Sequence, residues 1–480
     1  MLTNWASSRR PFLWFLLTVL CAAIALILVY VLGVQTPFEW DEILFARAVE
    51  HYDAAANSPH MPGYPVFVLA ARLVSFGVPD AVRAVQITSL TAAFLTLALV
   101  FFLGRRLGLT VLQACGGLFL LAGCPSFLWF AGVGLSDISG ALSSCAVLWA
   151  ILQDRAPIRS AVLAGFLAAI AVGVRSQAIY FLVPMVVVAL FEWRVDRLRR
   201  VLAATAATVV TSFGIWFPAV FLTGPGRWWS AFVWQFQWVR QEQTHGLALP
   251  FAPMSWIVQG WLIRPFGTPW LAAGFWALVL CGAGVFWHGG RRRLVVYGLG
   301  IGLVSLMLAA FSLDLRDGPR YILPSLVFFS LIAGGGIGVA RWQERLMTGA
   351  AAVFVVASVV WISPGLALRR SEPAPVIDVL ERVLESASPT DVVVFYEDKL
   401  WPHVYWMLER RGFEIYPIGD LHDWSQDHQG ESRSMVSVFS NRSPLPEQAS
   451  FEAAWDSPQV RAMTRGRYLR CWAVIGETGD

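Results

Sequence analysis

The sequence predicts a polytopic α-helical membrane protein, a fold class indicated by three observations. Of the 480 residues, 57% are hydrophobic and 14% are charged, and the mean hydropathy is +0.59. Several stretches of about 20 residues are almost free of charge, which is the length that an α-helix needs to cross a hydrocarbon core of roughly 30 Å. The basic residues are almost entirely arginines, placed in short clusters between these stretches, as in the loops of membrane proteins. A soluble globular protein is therefore excluded.

The apolar stretches and their charged flanks together predict about eleven spans. The clearest run from Phe12 to Val34, from Leu294 to Phe311 and from Met347 to Ser363. The N-terminal stretch is too long for the core of a signal peptide, so we interpret it as a first span that is retained. The predicted spans are 12–34, 81–103, 110–127, 137–153, 157–174, 177–192, 201–222, 267–287, 294–312, 321–340 and 347–364.

The arginine clusters predict the orientation of these spans. They all fall in alternate short loops, which the positive-inside rule places in the cytoplasm together with the N-terminus. The longer loops, 35–80 and 223–266, and the C-terminal tail then lie on the outer face. The clusters are Arg9/Arg10, Arg105/Arg106, Arg155/Arg159, Arg194/Arg197/Arg199/Arg200, Arg291/Arg292/Arg293 and Arg341/Arg345.

One apolar segment, Pro62 to Phe76, is short and contains Arg72. If it crossed the membrane, every later basic cluster would lie outside. We therefore predict an interfacial or re-entrant helix at the outer surface.

The C-terminal tail differs from the rest of the chain, because it contains most of the acidic residues. Its alternating runs Asp391 to Tyr396 and Ser434 to Ser440 predict strands, and helices are expected at about 375–387 and 401–411. We predict two domains: a membrane domain over 1–365 and a small α/β domain on the outer face over 366–480. The tail contains no arrangement of a nucleophile or of metal ligands, so we interpret it as an acceptor-binding or stabilising domain.

Composition also excludes several kinds of site. The arginine clusters do not form one basic stripe, so nucleic-acid binding is not expected. No C-x-x-C pair is present, and neither a disulfide framework nor a zinc site is predicted. Five of the six cysteines lie inside apolar runs: Cys21, Cys115, Cys124, Cys145 and Cys281.

The first outer loop concentrates polar groups just outside the first span. It begins with Thr36-Pro-Phe-Glu-Trp-Asp-Glu42, in which Asp41 and Glu42 are adjacent carboxylates next to Trp40. Partial desolvation at the lipid–water boundary raises the pKa of a carboxylate, which suits a general base. The alternative is that the pair only solvates the start of a helix.

The carboxylate pair is followed in the same loop by Ser58-Pro-His-Met-Pro-Gly-Tyr-Pro65. This arrangement resembles the first outer loop of the GT-C glycosyltransferase superfamily, and is similar to that of protein O-mannosyltransferases and lipid A aminoarabinose transferases. The chain departs from the pattern at Met61, where related enzymes usually have proline. It also has His60 in place of the lysine of the aminoarabinose transferases, so the phosphate contact of that lysine is not carried over.

Three later features fit the resemblance. Asp137 opens a span, Arg175 lies in a tight outer turn, and Arg320-Tyr-Ile-Leu-Pro324 matches the family's Arg/Lys-Tyr-x-x-Pro element. A guanidinium group offers a planar fork for phosphate oxygens, so arginines at the outer surface suit a lipid phosphate. The candidate substrate-binding residues are His60, Tyr64, Asp137, Arg175, Arg320 and Tyr321.

Each of these residues also has a simpler interpretation. Arg175 and Arg320 could snorkel to water, and Asp137, after Ser136, could be an ordinary helix cap. Tyr64 and Tyr321 could belong to the aromatic belt of any membrane protein.

The segment from Arg227 to Arg240 is rich in tryptophan. Apolar residues at 228, 229, 232, 233, 236 and 239 predict one face of a helix lying in the outer interface. The helix could serve only as an anchor, or it could border the entry for a prenyl chain.

The resemblance implies a glycosyltransferase of the bacterial inner (plasma) membrane that uses a polyprenyl-phosphate-linked sugar. Asp41, with Glu42 beside it, would deprotonate an acceptor hydroxyl while the lipid phosphate departs against Arg175 and Arg320, with inversion at the anomeric carbon. The acceptor would be a glycan, a lipid or a protein. No cofactor is required by the motifs, although the adjacent carboxylates leave a divalent cation open.

Two other classes remain open at this stage. A transporter or flippase of lipid-linked sugars would also be polytopic, but the sequence shows no inverted repeat and no charged residue firmly at a span centre. A receptor or structural protein would function through its C-terminal domain.

Overall fold

The computed structural model describes most of the chain from Thr36 onward. The predicted first span, 12–34, lies outside the described residues. These are 36–153, 156–243, 257–289, 292–312, 318–338, 342–397, 400–421, 424, 434–440, 449–455, 457–464 and 470–477.

The fold is a helical bundle followed by a small domain that contains a sheet. The helices are α1 (Trp40–Glu50), α2 (Pro65–Ser75), α3 (Ala81–Arg106), α4 (Val111–Ala122), α5 (Pro125–Ala131), α6 (Ser136–Ile151), α7 (Pro157–Val174), α8 (Ile179–Glu192), α9 (Arg197–Thr223), α10 (Pro225–Trp238), α11 (Pro269–His288), α12 (Arg292–Ser312), α13 (Gly318–Tyr321), α14 (Leu323–Gly334), α15 (Trp342–Ser371), α16 (Pro375–Ser386), α17 (Trp401–Leu408) and α18 (Pro458–Thr464).

Helices lie at all ten of the predicted spans after the first, but they are not all long enough to cross a membrane. Within the described residues, six helices are long and apolar enough, and seven if the pair α4 and α5, bent by 67°, counts as one span. By length and composition, the described residues therefore contain six or seven helices that could cross a membrane, whereas the sequence predicts about eleven spans over the whole chain. The six helices are α3, α7, α9, α11, α12 and α15.

Helix α14 shows why fewer helices pass a test of length than hydropathy predicts. The sequence predicts a span over 321–340, whereas α14 has 12 residues and is only about 18 Å long at a rise of about 1.5 Å per residue. All of its residues are buried, so α14 is apolar because it lies in the centre of the bundle. Similar shorter apolar helices are Ser136–Ile151 and Ser176–Glu192.

Helix α9 is the opposite case, because it packs on α7 and turns most of its surface outward. Phe213, Phe217 and Phe221 are all more than half exposed, as expected for a helix that faces lipid. The close approach to α7 depends on Gly165, where a Cβ atom would lie 2.0 Å from the carbonyl oxygen of Ala204.

The short segment predicted from Pro62 to Phe76 forms α2, which has 11 residues and is too short to cross the membrane. Arg72 of α2 donates hydrogen bonds to the carbonyl oxygens of Val49 (2.9 Å) and Ala48 (3.0 Å). These bonds fix α2 against the end of α1. The position of α2 at the outer interface stays a prediction.

The tryptophan-rich segment forms α10, in which no residue is buried. It lies against the first outer loop: Trp228 Nε1 donates to the carbonyl oxygen of Pro62 (3.3 Å), and Arg227 forms an ion pair with Asp53 (2.8 Å). The predicted helix is therefore present, and it adjoins the loop that carries Asp41.

The C-terminal part contains a five-stranded mixed sheet in the order β2-β1-β3-β5-β4. Strand β1 is parallel to β2 and β3, whereas β5 is antiparallel to β3 and β4. The two predicted strands are β1 and β3, and the predicted helices are α16 and α17. The strands are β1 (Val392–Tyr396), β2 (Glu414–Pro417), β3 (Ser434–Ser440), β4 (Phe451–Ala454) and β5 (Arg470–Glu477).

The sheet domain packs against the first outer loop through aromatic contacts and a hydrogen bond. Phe38 stacks on Trp455 with ring centroids 5.1 Å apart, and Trp40 meets Trp401 edge-on at 5.8 Å. The backbone N–H of Ala374 donates to Thr36 Oγ1 (2.8 Å). The loop that begins α1 is thus held from outside the bundle. The predicted division of the chain at 365/366 stays a prediction, and α15 continues through this point to Ser371.

Candidate functional site

The site begins at Asp41, in the first turn of α1. The helix N-terminus favours negative charge at this position. Asp41 Oδ2 accepts a hydrogen bond from Arg320 Nη2 (2.5 Å), and Asp41 Oδ1 lies 3.6 Å from His60 Nδ1. The structure therefore brings residues from two distant parts of the chain onto one carboxylate.

Asp137 joins the two arginines. Its Oδ2 accepts from Arg320 Nε (2.7 Å), and its Oδ1 pairs with Arg175 Nη2 (2.8 Å). Arg175 Nη1 also donates to Ser136 Oγ (3.0 Å). Two carboxylates and two guanidinium groups thus form one continuous cluster in the order Asp41, Arg320, Asp137, Arg175.

This geometry rules out the simpler interpretations of three residues. The side chains of Arg175 and Arg320 are 6% and 12% exposed and point to Asp137, so they do not snorkel to water. Helix α6 has Leu135 as its N-cap and no side-chain cap, so Asp137 is not the predicted cap.

The aromatic candidates surround the charged cluster. The Tyr321 ring lies 5.4 Å from the Arg175 guanidinium carbon and 5.7 Å from that of Arg320, which are cation–π distances. The Tyr321 ring also stacks on Trp261, with ring centroids 6.2 Å apart. The Tyr321 ring is therefore within cation–π distance of both guanidinium groups.

Tyr64 is buried, which does not fit a residue of the interfacial belt. Its hydroxyl lies 3.0 Å from His60 Nε2 and 3.5 Å from Gln177 Nε2, which donates to it. A chain of polar contacts thus runs from Gln177 through Tyr64 and His60 to Asp41.

The charges of the cluster set its titration. Burial raises the pKa of the Asp41 carboxyl, but Arg320, with smaller effects of His60 and Arg175, outweighs burial and holds that pKa well below its usual range. Burial lowers the pKa of the His60 imidazole, although Asp41 opposes this shift. These shifts favour the ionised form of the Asp41 carboxyl and the uncharged form of the His60 imidazole.

A pocket adjoins the cluster, and three members of the cluster line it. Its charged and amide lining residues are Asp137, Arg175, Arg320 and Gln177. The rest of the lining is aromatic, aliphatic or small: Gly140, Ser144, Ala178, Tyr180, Phe181, Ala309, Tyr321 and Pro324. Such a lining suits an amphipathic molecule with an anionic head.

Comparison with solved structures gives the fold. The crystal structure of ArnT from Cupriavidus metallidurans bound to undecaprenyl phosphate superposes with a TM-score of 0.61, at 14% identity, over 96% of this chain and 98% of that chain. The apo oligosaccharyltransferase of Archaeoglobus fulgidus superposes with a TM-score of 0.54, at 14% identity, over 88% of this chain and 69% of that chain. The chain therefore shares the fold of these two solved proteins, which are GT-C membrane glycosyltransferases.

The same fold is found in the archaeal oligosaccharyltransferase AglB from Archaeoglobus fulgidus, solved in complex with an inhibitory peptide and a dolichol-phosphate. It superposes with a TM-score of 0.50, at 13% identity, over 88% of this chain and 69% of that chain. No protein-family model and no curated protein matches the sequence. The resemblance stated from the sequence motifs is thus confirmed at the level of the fold.

Among the predicted site residues, Glu42 is the one whose side chain lies apart from the cluster. It is completely buried and accepts hydrogen bonds from Gln86 Nε2 (2.7 Å) and from the backbone N–H groups of Gly134 (2.9 Å) and Phe38 (3.1 Å). Burial raises its pKa above the usual value, although these bonds and Arg369 oppose the shift. Its contacts hold the start of α1 to α3 and to the loop before α6.

The sequence did not single out three residues of the site. Ser136 directly precedes Asp137 and Gln177 is two residues after Arg175, but polar residues at a span end give no particular signal. Trp261 follows the segment 244–256, outside the described residues, and no apolar pattern predicts its stacking on Tyr321.

No group of three or more His, Cys, Asp or Glu side chains with the geometry of a metal site occurs in the described part of the chain. Asp41 itself contacts the Arg320 guanidinium and lies 3.6 Å from His60 Nδ1.

Proposed function

We propose that this GT-C-fold protein is a glycosyltransferase that moves a sugar from a polyprenyl-phosphate-linked donor to an acceptor hydroxyl at the outer face of the membrane. One observation carries the proposal: Asp137, Arg175 and Arg320 of the cluster line a pocket whose other lining residues are mostly apolar, and Arg320 also binds Asp41. A lipid phosphate needs cations at its head and an apolar wall along its chain.

The arginines are the phosphate-binding groups in this proposal. Guanidinium forks match phosphate oxygens, and Tyr321 holds both arginines in place through its ring. Asp41 and Asp137 accept hydrogen bonds from Arg320 Nη2 and Nε. A bound phosphate would therefore replace Asp41 at Arg320 while Asp137 continues to hold the guanidinium.

This exchange would supply the base. Once Asp41 is released from Arg320, the main influence that lowers its pKa is removed, and the carboxylate becomes a better proton acceptor. Asp41 would then deprotonate the acceptor hydroxyl, whose oxygen attacks the anomeric carbon. The polyprenyl phosphate leaves against Arg320 and Arg175, whose charge stabilises the leaving group. A single displacement of this kind inverts the anomeric carbon.

Two of the structural relatives are described with matching ligands: ArnT with undecaprenyl phosphate and AglB with a dolichol-phosphate and an inhibitory peptide. We propose a ligand of the same chemistry for this chain, with a glycan, a lipid or a protein as acceptor. Transfer in the presence of a chelator would test the accompanying proposal that no divalent cation is required.

The proposal also includes the location of the site. The first outer loop and the sheet domain would lie outside the bacterial inner membrane, with the N-terminus in the cytoplasm, as the arginine clusters predict.

The direct test is transfer of a radiolabelled sugar from a polyprenyl phosphate by the protein purified in detergent. Formation of a labelled product that contains no lipid phosphate would support the transferase. Protein that binds the donor lipid and moves it across vesicles without releasing polyprenyl phosphate would instead be a flippase.

A further inference from the structure

We propose that His60 is the final acceptor of the proton that the acceptor hydroxyl loses, and that Asp41 passes this proton to His60 Nδ1. The inference rests on the transferase proposed above, and it gives His60 the role of a proton acceptor at the position where the aminoarabinose transferases have a lysine.

The positions of the two Asp41 oxygens motivate the proposal. Oδ2 is bound by Arg320 at 2.5 Å, whereas Oδ1 faces His60 Nδ1 at 3.6 Å. His60 Nδ1 is buried and has no hydrogen-bond partner within the described part of the chain. The carboxylate oxygen that is not bound to the arginine therefore faces an imidazole nitrogen that is itself unoccupied.

The other imidazole nitrogen fixes the tautomer that is needed. His60 Nε2 lies 3.0 Å from the Tyr64 hydroxyl, and with Nε2 protonated it donates to this hydroxyl. Nδ1 then has a lone pair directed at Asp41 Oδ1. Two lone pairs at 3.6 Å form no bond, but a proton placed between them makes a hydrogen bond as the atoms close to normal distance.

The acceptor O–H bond breaks as its oxygen forms a bond to the anomeric carbon, and the bond from that carbon to the phosphate oxygen breaks with its electron pair on the phosphate. The proton moves to Asp41 Oδ1 and then to His60 Nδ1. Asp41 returns to a carboxylate, and His60 becomes an imidazolium.

The surroundings of His60 support both protonation states. Its charged and titratable neighbours are Asp41 on α1, Tyr64 before α2, Asp137 on α6, Arg175 after α7 and Arg320 on α13. Asp41 and Asp137 favour the imidazolium, while burial and the arginines favour the neutral ring that must be present first. The opposing carboxylates and arginines therefore allow the ring to begin uncharged and to gain a proton beside Asp41.

A purely structural role of His60 is the competing interpretation, because its ring also packs on Phe45, with ring centroids 5.8 Å apart. Packing does not titrate, so the pH dependence of transfer distinguishes the two roles. The experiment measures transfer of the labelled sugar against pH for the wild-type protein, His60→Gln and His51→Gln. His51 lies in the same loop and is exposed, which makes it the matched control.

We expect wild-type transfer to fall on the acid side as His60 becomes protonated. His60→Gln should lower turnover by about 100-fold or more and remove this acid limb, with undecaprenyl phosphate binding retained. His51→Gln should leave both unchanged. Turnover of His60→Gln within about 2-fold of wild type, with the same acid limb, would overturn the inference alone. Absence of transfer by the wild-type protein would overturn the proposed function and this inference together.

Tyr64→Phe gives a second test if His60→Gln does not fold. Loss of the hydroxyl that accepts from Nε2–H destabilises the imidazolium more than the neutral ring, so the acid limb should move to lower pH while the Tyr64 ring remains in place. An acid limb at an unchanged pH would contradict His60 as the titrating group.

Discussion

Asp41 and Glu42 are adjacent in the sequence, yet they have different surroundings because successive helix residues are about 100° apart. Asp41 faces the arginines, whereas Glu42 accepts three hydrogen bonds in the core. The sequence identified both as one acidic pair and could not separate them, since the direction of each side chain depends on where α3 and the loop before α6 pack. The residues of the charged cluster were all among the predicted candidates.

We expect Asp41→Asn to fold and to bind undecaprenyl phosphate but to transfer little sugar. Asparagine keeps the size of the side chain and does not accept a proton, and general-base catalysis typically contributes about 100- to 10,000-fold. Transfer rate and thermal unfolding are measured together. Turnover close to wild type in a normally stable variant would remove the base from the mechanism.

Glu42→Gln should mainly reduce stability rather than transfer. The glutamine NH2 group would face a backbone or amide donor where Glu42 now accepts three hydrogen bonds, and an unsatisfied buried polar group costs about 1–3 kcal/mol. Thermal unfolding in detergent checks this. A strong loss of transfer at unchanged stability would instead return Glu42 to the catalytic candidates.

Arg320→Ala and Arg175→Ala should each weaken binding of undecaprenyl phosphate, because a charge-assisted hydrogen bond contributes about 1.5–3 kcal/mol. Arg320→Lys should restore binding only in part, since lysine lacks the planar fork. The control is Arg227→Ala, which removes an exposed arginine that pairs with Asp53. Equal affinity in all four variants and the wild type would contradict a phosphate site at the cluster.

At the scale of the elements, the sequence predicted the positions of helices well and their exposure poorly. The apolar run of α14 and the apolar run of α9 give similar hydropathy signals, but α14 is buried on all sides and α9 is mostly exposed. Hydropathy measures only that a run avoids water, so it does not distinguish lipid from protein as the neighbour. In the same way, β1 and β3 were predicted, whereas β4 has four residues and gives too short an alternation to be recognised.

The contact between α7 and α9 should be sensitive to one methyl group. In Gly165→Ala the new Cβ would lie 2.0 Å from the Ala204 carbonyl oxygen, and overpacking of this kind costs about 1–3 kcal/mol. Gly214→Ala is the matched control in α9, where the Cβ meets open space, and it should be neutral or stabilising by up to about 1 kcal/mol. Equal thermal stability of the two variants would contradict the close packing.

At the scale of the whole molecule, the sheet domain supports the loop that carries the proposed base. Phe38, Trp40 and Thr36 all contact it, whereas Asp137, Arg175 and Arg320 belong to the bundle. The sequence predicted a separate tail with an acceptor-binding or stabilising role. It could not reveal these contacts, because no local pattern encodes which distant aromatic residues meet.

A chain that ends at Ser371 should therefore keep measurable undecaprenyl phosphate binding and lose most sugar transfer, since α1 loses its outer support while the arginines remain. Trp455→Ala, which removes only the stacking on Phe38, is the milder companion variant. Complete loss of lipid binding in a truncated protein that is still folded would show that the domain shapes the donor site as well.

The orientation of the molecule is tested with reporters. A reporter fused at Asp480 should be outside the membrane and one at Arg292 inside, because the arginine clusters favour the cytoplasm. A cytoplasmic reporter at Asp480 would move the cluster to the other face and contradict the proposed site.

The cluster that joins Asp41, Arg320, Asp137 and Arg175 supplies its own counterions, since two carboxylates neutralise two guanidinium groups. In the proposed exchange, an entering phosphate would replace a carboxylate at an arginine and would not meet uncompensated positive charge. Dissolved chloride or sulfate would gain little free energy by binding there, and buried pairs are screened by salt much less than exposed ones. The neutral cluster would thus discriminate against small anions, and the affinity for a lipid phosphate would depend only weakly on ionic strength.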